Sequence, residues 1–375
     1  MRKTHVRPSV AVLVAVHNGA TYLEETLQSI DGQNYENLDV VICDDGSSDD
    51  SLDRIYSFAR NARHRVSILK HSTAMGPTAA FFSCARYASE FADLLTFFSH
   101  DDVMRQGHVS SVVRASKPGT VLVSGIAHLV DDQDRRIGTT FCPPRLQIFG
   151  SALSGFLFAR NMVIAVGATI PASAVDHMDS SSPFHVCEDW ERWLRLAPQG
   201  KFRLTTRASV MYRIHATNLH HSLTQSDQSV QYREMRRNLL GDQEFRDLLP
   251  MRQSALGKLG LLLGRGLWRF SNRDPRDDCL WNDFEQARVA EPSTAKVAAS
   301  STEKLPALVL IERQRGDGSG LTCAPDAAKL EAVTFGLMSW LETGKMLARA
   351  FVGLLLTRQV ERPPIAGNSG RSIDS

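Results

Sequence analysis

Three places in the chain set carboxylates side by side: Asp44-Asp45, Asp101-Asp102 and Glu188-Asp189. Adjacent carboxylates can do two kinds of chemistry. They can hold a hard divalent cation, Mn2+ or Mg2+, which takes oxygen ligands from one or two carboxylates and completes its shell with phosphate and water. They can also supply a general base, removing the proton of a hydroxyl as it attacks. Asp101-Asp102 suits the first task, with the cation acting as a Lewis acid on an anionic leaving group. Glu188-Asp189 suits the second. A lone cluster such as Asp44-Asp45-Gly46-Ser47-Ser48-Asp49 reads more simply as a loop and helix cap, since Asp, Ser and Gly favour both. The recurrence of such clusters tips the balance toward chemistry.

These pairs need elements to hold them still. Val10 to Val16 is a continuous β-branched apolar run, as expected of a strand buried on both faces of a parallel sheet. It stops at the turn signal His17-Asn18-Gly19. A helix should follow, with Leu23, Leu27 and Ile30 on its buried face and Thr21 as N-cap. Leu38 to Cys43 is a second buried strand and runs into Asp44-Asp45. Ser51 to Ala59 and Ala79 to Ala92 read as helices, Val66 to Leu69 as a short strand, and Leu94 to Phe98 as a strand ending at Ser99-His100-Asp101-Asp102. The alternation predicts an α/β fold, a mostly parallel sheet flanked by helices. In such sheets ligands bind beyond the carboxyl ends of the strands. Further on, Val121 to Val130 and Arg136 to Phe141 read as strands and Cys187 to Leu196 as a helix.

Several of these segments resemble family 2 glycosyltransferases of the GT-A fold. Val10 to Ile30 followed by VVICDDGSSDDS is similar to their opening, an apolar strand with Asn near its end, a helix, and a strand ending in Asp-Asp-Gly-Ser. MGPTAAFFSCARYASEFADLLTFFSHDDVM resembles the Asn-x-Gly segment and helix that lead to the family's Asp-Asp metal motif, nearest to the rhamnosyltransferase-like branch. CEDWERWLRLAPQGKF resembles the acidic base motif, and VMYRIHATNLHHS the Tyr-Arg-x-His segment that closes the catalytic domain. The motifs stand in the family's order over residues 9–222.

The resemblance implies transfer of a sugar, with inversion, from a UDP-, dTDP- or GDP-sugar to a saccharide or lipid-linked saccharide, as in cell-surface polysaccharide or glycolipid synthesis. Ala15, His17, Asn18, Asp45 and Gly76 would line the nucleotide pocket, Asp45 meeting the base. Asp101 would meet the ribose and Asp102 the metal. Asp189 would be the catalytic base with Glu188 beside it, and Arg213 and His215 would approach the diphosphate or the metal. Where many members carry Asp-x-Asp-Asp this chain has Ser99 first, leaving fewer carboxylates for the cation. A scaffold of this fold without turnover is the main alternative, since fold does not fix function. A nucleotidyltransferase would ordinarily carry a Gly-rich basic loop, which His17-Asn18-Gly19-Ala20 is not. Among single residues, His100 reads as an exposed loop histidine, and Trp190 and Trp193 as core, with stacking of Trp190 on an acceptor sugar as the alternative.

Composition sets outer bounds. The 375 residues carry 43 Lys and Arg against 41 Asp and Glu, so no overall charge draws the chain to nucleic acid. Its 6 cysteines are scattered, which fits reduced thiols. The first apolar run is too short for a secretory leader, and no segment is long and uncharged enough to span a membrane. A cytoplasmic place is expected, with peripheral contact at the inner face of the plasma membrane. Residues 1–222 read as the catalytic domain, 223–290 as a helical extension, 291–328 as linker-like, 329–360 as an amphipathic helical segment and 361–375 as a disordered tail. Leu256 to Phe270 is apolar and basic, so it could lie in a membrane interface. A helix packed on the catalytic domain, or a dimer contact, is the reading it favours.

Overall fold

The computed structural model describes residues 7–140, 147–161, 163–177, 184, 186–216, 218, 224–249, 255–271, 278–289 and 309–314. Strand β1 (Val10–Val16) is buried along its whole length. It lies between β2 (Leu38–Asp44) and β4 (Leu94–Ser99), parallel to both. Its two faces feed different cores. Val10, Val12, Val14 and Val16 pack toward α1 (Ala20–Asp31) and α2 (Ser51–Asn61), whereas Ala11, Leu13 and Ala15 pack toward α3 (Pro77–Ala88). This period-two sorting explains the unbroken apolar run, because neither side meets water. Register then does the positioning. Val16 pairs with Asp44 and Ala15 with Ser99, so the carboxyl ends of β2, β1 and β4 finish level.

Strand β3 (Arg65–Lys70) continues the parallel set beyond β2. The sheet is mixed on the other side of β4. Going outward come the antiparallel β9 (Thr169–Pro171), then β6 (Thr120–Val130), β10 (Lys201–Arg213) and β5 (Val103–Met104). β7 (Arg136–Thr139) pairs with β6, and β8 (Gln147–Phe149) with β10. Antiparallel pairing of Met211 with Val103 delivers the end of β10 to the Asp101-Asp102 loop. Helix α4 (His108–Ala115) follows β5. Helix α1 starts one residue before the expected cap Thr21; Gly19 is its N-cap.

The expected helical extension is present and is not a separate body. α5 (Gly150–Ala159) and α6 (Glu188–Leu196) belong to the catalytic half, and α7 (Gln225–Gly241), α8 (Gln243–Leu248), α9 (Ala255–Ser271) and α10 (Asp278–Val289) to the extension. Phe158 of α5 stacks on Phe284 at 4.1 Å and on Trp268 at 5.6 Å, within the core that also holds Leu13 and Trp193. α5 and α9 touch backbone to backbone: a methyl group at Gly155 would lie 2.8 Å from the Gly260 carbonyl oxygen. The stretch Leu256 to Phe270 is thus a helix packed on the catalytic half, as its favoured reading had it. No described helix is long and apolar enough to cross a membrane. The region read as linker contains β11 (Val309–Gln314), an edge strand antiparallel to β3. The segment 329–360, the tail, and His220-His221 lie outside the described residues.

Candidate active site

The turns after β1 and β2 are tied together by hydrogen bonds. The Asp45 backbone N–H donates to the Val16 carbonyl at 2.7 Å, and His17 Nδ1 lies 2.8 Å from the Asp45 carbonyl oxygen. Asn18, in the left-handed region at φ 50°, accepts the Ser48 N–H at 2.8 Å. The Asp45 carboxylate itself is buried. Its Oδ1 accepts from His71 Nδ1 at 2.6 Å and from the Met75 N–H at 2.9 Å, and its Oδ2 from the Gly76 N–H at 2.7 Å. Burial pushes the Asp45 carboxyl up, but the His71 hydrogen bond and the two backbone donors outweigh it and hold the group below its ordinary range. His71 in turn is raised to about 10, first by Asp45 and then by Cys43. Gly46, at φ 67°, lets the two loops meet, since a Cβ there would sit 2.8 Å from the Ala74 nitrogen. Ala15, His17, Asn18, Asp45 and Gly76 therefore gather at one end of the sheet, as expected. His71, a buried partner that belongs to no motif, was not legible in the sequence.

The second acidic pair departs from its expected division of labour. Asp102, assigned to the metal, turns inward: it is 1% exposed, and its Oδ1 accepts the Arg213 backbone N–H at 2.8 Å. Its Oδ2 is buried as well, on the side of Ser99. Burial, followed by the charge of Asp101, pushes this carboxyl well up. Asp101 faces the other way, toward His215 Nε2 at 3.0 Å and Asn218 Nδ2 at 3.3 Å. Arg213 is likewise no open phosphate ligand. Its buried guanidinium pairs with Glu25 at 2.7 Å and Asp134 at 2.5 Å, donates to the Asp101 carbonyl, and stacks 4.4 Å over the Tyr22 ring. It acts as a strut between α1, β10 and the loop before β7. His100 is not an exposed loop residue either: its Nδ1 lies 3.2 Å from the Ala15 carbonyl oxygen, and its ring packs so closely on Gly19 that a Cβ there would be 2.3 Å from Cδ2.

The third pair opens α6. Glu188 is raised to about 7 by burial and then by the charge of Asp189, against an opposing pull from Arg192. Asp189 accepts from Asn161 Nδ2 at 3.3 Å. Trp190 is core: its indole N–H donates to the Leu157 carbonyl at 2.6 Å, and Tyr232 packs edge-on at 5.3 Å. Tyr212 is within electrostatic reach of the last two acidic pairs. Burial pushes its phenol up, and then Asp102, Asp101, Asp189 and Glu188 each add to the rise. Groups 88 residues apart in sequence, Asp101 and Asp189, thus act on one side chain. Among the described residues no three His, Cys, Asp or Glu side chains form a ready-made ion cage. Asp101 with His215 nevertheless fits a cation that takes a carboxylate from the protein and oxygens from a diphosphate.

Residues 11–168 match the model of glycosyl transferase family 2. That segment is thus similar to a family 2 glycosyltransferase domain. A UDP-Glc:alpha-D-GlcNAc-diphosphoundecaprenol beta-1,3-glucosyltransferase, WfaP of Escherichia coli, is 24% identical over 208 residues, 55% of this chain and 78% of that protein. A GalNAc(5)-diNAcBac-PP-undecaprenol beta-1,3-glucosyltransferase of Campylobacter jejuni is 25% identical over 118 residues, and the chain spans only 38% of its length. Neither points to the rhamnosyltransferase-like branch. Among solved structures, residues 1–349 of S. aureus TarS in complex with UDP-GlcNAc match with a TM-score of 0.55 at 15% identity, covering 74% of this chain and 81% of that one. This likeness supports the GT-A arrangement of the family 2 domain, with its level strand ends and curled sheet.

Proposed function

We propose that the chain is an inverting, cation-dependent glycosyltransferase that moves a sugar from a nucleoside diphosphate to a hydroxyl of a lipid-linked or cell-surface saccharide. The observation that carries this reading is the match of residues 11–168 to the glycosyl transferase family 2 model, with both later acidic pairs within electrostatic reach of Tyr212. In this reading the ends of β1 and β2 hold the nucleotide, with Asp45 fixing the loop that carries Gly76. Asp101, rather than Asp102, faces the diphosphate, with His215 behind it. Mn2+ or Mg2+, when bound there, supplies positive charge to the departing diphosphate. Asp189 takes the proton of the acceptor hydroxyl, and Glu188, titrating near neutrality, stands beside it as a second proton acceptor. A single acidic pair in the role of base and no evident nucleophile favour inversion. The names of the bacterial relatives make UDP-glucose the first donor to try and an undecaprenyl-diphosphate saccharide the first acceptor. A lipid-borne acceptor would bring the protein to the cytoplasmic face of a membrane, and vesicle flotation tests that contact.

The deciding experiment is calorimetry with UDP, dTDP and GDP in the presence of Mn2+, followed by donor turnover with and without a chelator. Asp189→Asn should lower turnover by about 10²- to 10⁴-fold while nucleotide affinity stays put. Asp101→Asn should remove the response to the cation. Nucleotide binding without turnover would favour the scaffold reading, and full activity in the chelator would remove the cation.

A further inference from the structure

We infer that Arg236, on the helical extension, is a positioning residue for the catalytic base. The inference rests on the proposed role of Asp189. A helix leaves its last four carbonyls without helical partners. In α5 these belong to Phe156, Leu157, Phe158 and Ala159. The Phe156 carbonyl accepts the Arg160 N–H at 2.8 Å, and the Leu157 carbonyl accepts the Trp190 indole N–H at 2.6 Å. The other two are taken by one side chain: Arg236 Nε donates to the Phe158 carbonyl at 2.8 Å and an Nη to the Ala159 carbonyl at 3.0 Å. The guanidinium is 3% exposed and sits between aromatic faces, 4.6 Å from the Trp190 centroid and 4.9 Å from that of Trp268.

The consequence lies at both ends of that clamp. Two residues beyond the capped carbonyls comes Asn161, whose amide donates to the Asp189 carboxylate at 3.3 Å. On the opposite side Trp190, the residue after Asp189, is held by the same arginine and the same helix end. Asp189 is therefore gripped through its hydrogen-bond donor and through its backbone neighbour, and both grips meet in Arg236. A cation at the negative end of a helix is favourable in itself. Only Arg has the planar fork that reaches two carbonyls while lying flat on a ring. The catalytic half thus borrows from α7 the group that fixes its base.

The test uses the full chain carrying Arg236→Lys, Asn161→Ala or both, with UDP-glucose as donor, turnover normalised to UDP-binding sites counted by calorimetry. A positioning role predicts that each single variant loses about 10- to 100-fold in kcat, with the donor KM and UDP affinity within about twofold. The double variant should be no worse than the poorer single one, because both act on one geometry. A purely structural arginine would lower the melting temperature and the count of binding sites but leave kcat per site unchanged, which overturns the inference. So would losses that multiply in the double variant. Asn161→Ala with wild-type kcat overturns it even if Arg236→Lys does not fold. A wild-type chain that turns over no UDP-sugar removes the proposed function first, and the inference with it.

Discussion

Two carboxylate–imidazole pairs stand just beyond strand ends of the one sheet and differ in depth. Asp45–His71, at 2.6 Å, has side chains 4% and 2% exposed; Asp101–His215, at 3.0 Å, has side chains 14% and 10% exposed. The deep pair is surrounded by fixed protein donors and acceptors: Met75, Gly76 and Ser83 complete its bonding. The shallow pair is more open to solvent and shares its carboxylate with the side-chain amide of Asn218. The same chemistry serves as a strut where water is excluded and, in the proposed function, as the ligand site where water can reach it. Burial, not residue type, divides the labour.

The largest expected effect comes from breaking the deep pair. His71→Ala leaves a buried carboxylate without its cation and should cost about 3–5 kcal/mol in stability, read by urea unfolding. The pair also predicts a pH dependence. His71 has its pKa raised from 6.5 to about 10, so its contribution is complete below pH 6.5 and drains away as the pH climbs toward 10. Asp45 is lowered from 3.8, so its contribution is present above that pH and is lost as acid is added below it. Unfolding free energy should therefore fall on the alkaline side, and His71→Ala should flatten that slope; an unchanged slope would assign it elsewhere. His215→Ala should behave oppositely, with about 10- to 100-fold weaker cation affinity and a stability change below about 1 kcal/mol. The last effect is steric. Gly19→Ala drives a methyl group into the His100 ring and should cost about 1–3 kcal/mol, largely recovered in the Gly19→Ala, His100→Ala double variant.

Much of the nucleotide half was legible in the sequence because β1, β2 and β4 are buried on both faces and leave continuous apolar runs. Strands β5, β8 and β9 span two or three residues, too few for any period to appear. The acidic pairs were visible as composition, but not the direction each member faces. Asp101 and Asp102 both lie in the turn between β4 and β5, and the inward member is fixed from a distance, by the Arg213 backbone N–H that β10 brings to Asp102. The pairing of Arg213 was not legible for a related reason: its charge is local information, whereas its partners Glu25 and Asp134 lie far away in sequence. His71 and Arg236 left no signal because their roles exist only after folding.

Strand β11 carries a last consequence. It returns from beyond α10 to cover the outer side of β3, an edge of the sheet. Without it, β3 would offer a bare ladder of N–H and C=O groups, a template on which other polypeptides can assemble. A protein shortened after Val289 should keep its chemistry and yet precipitate, one copy zippering onto the next.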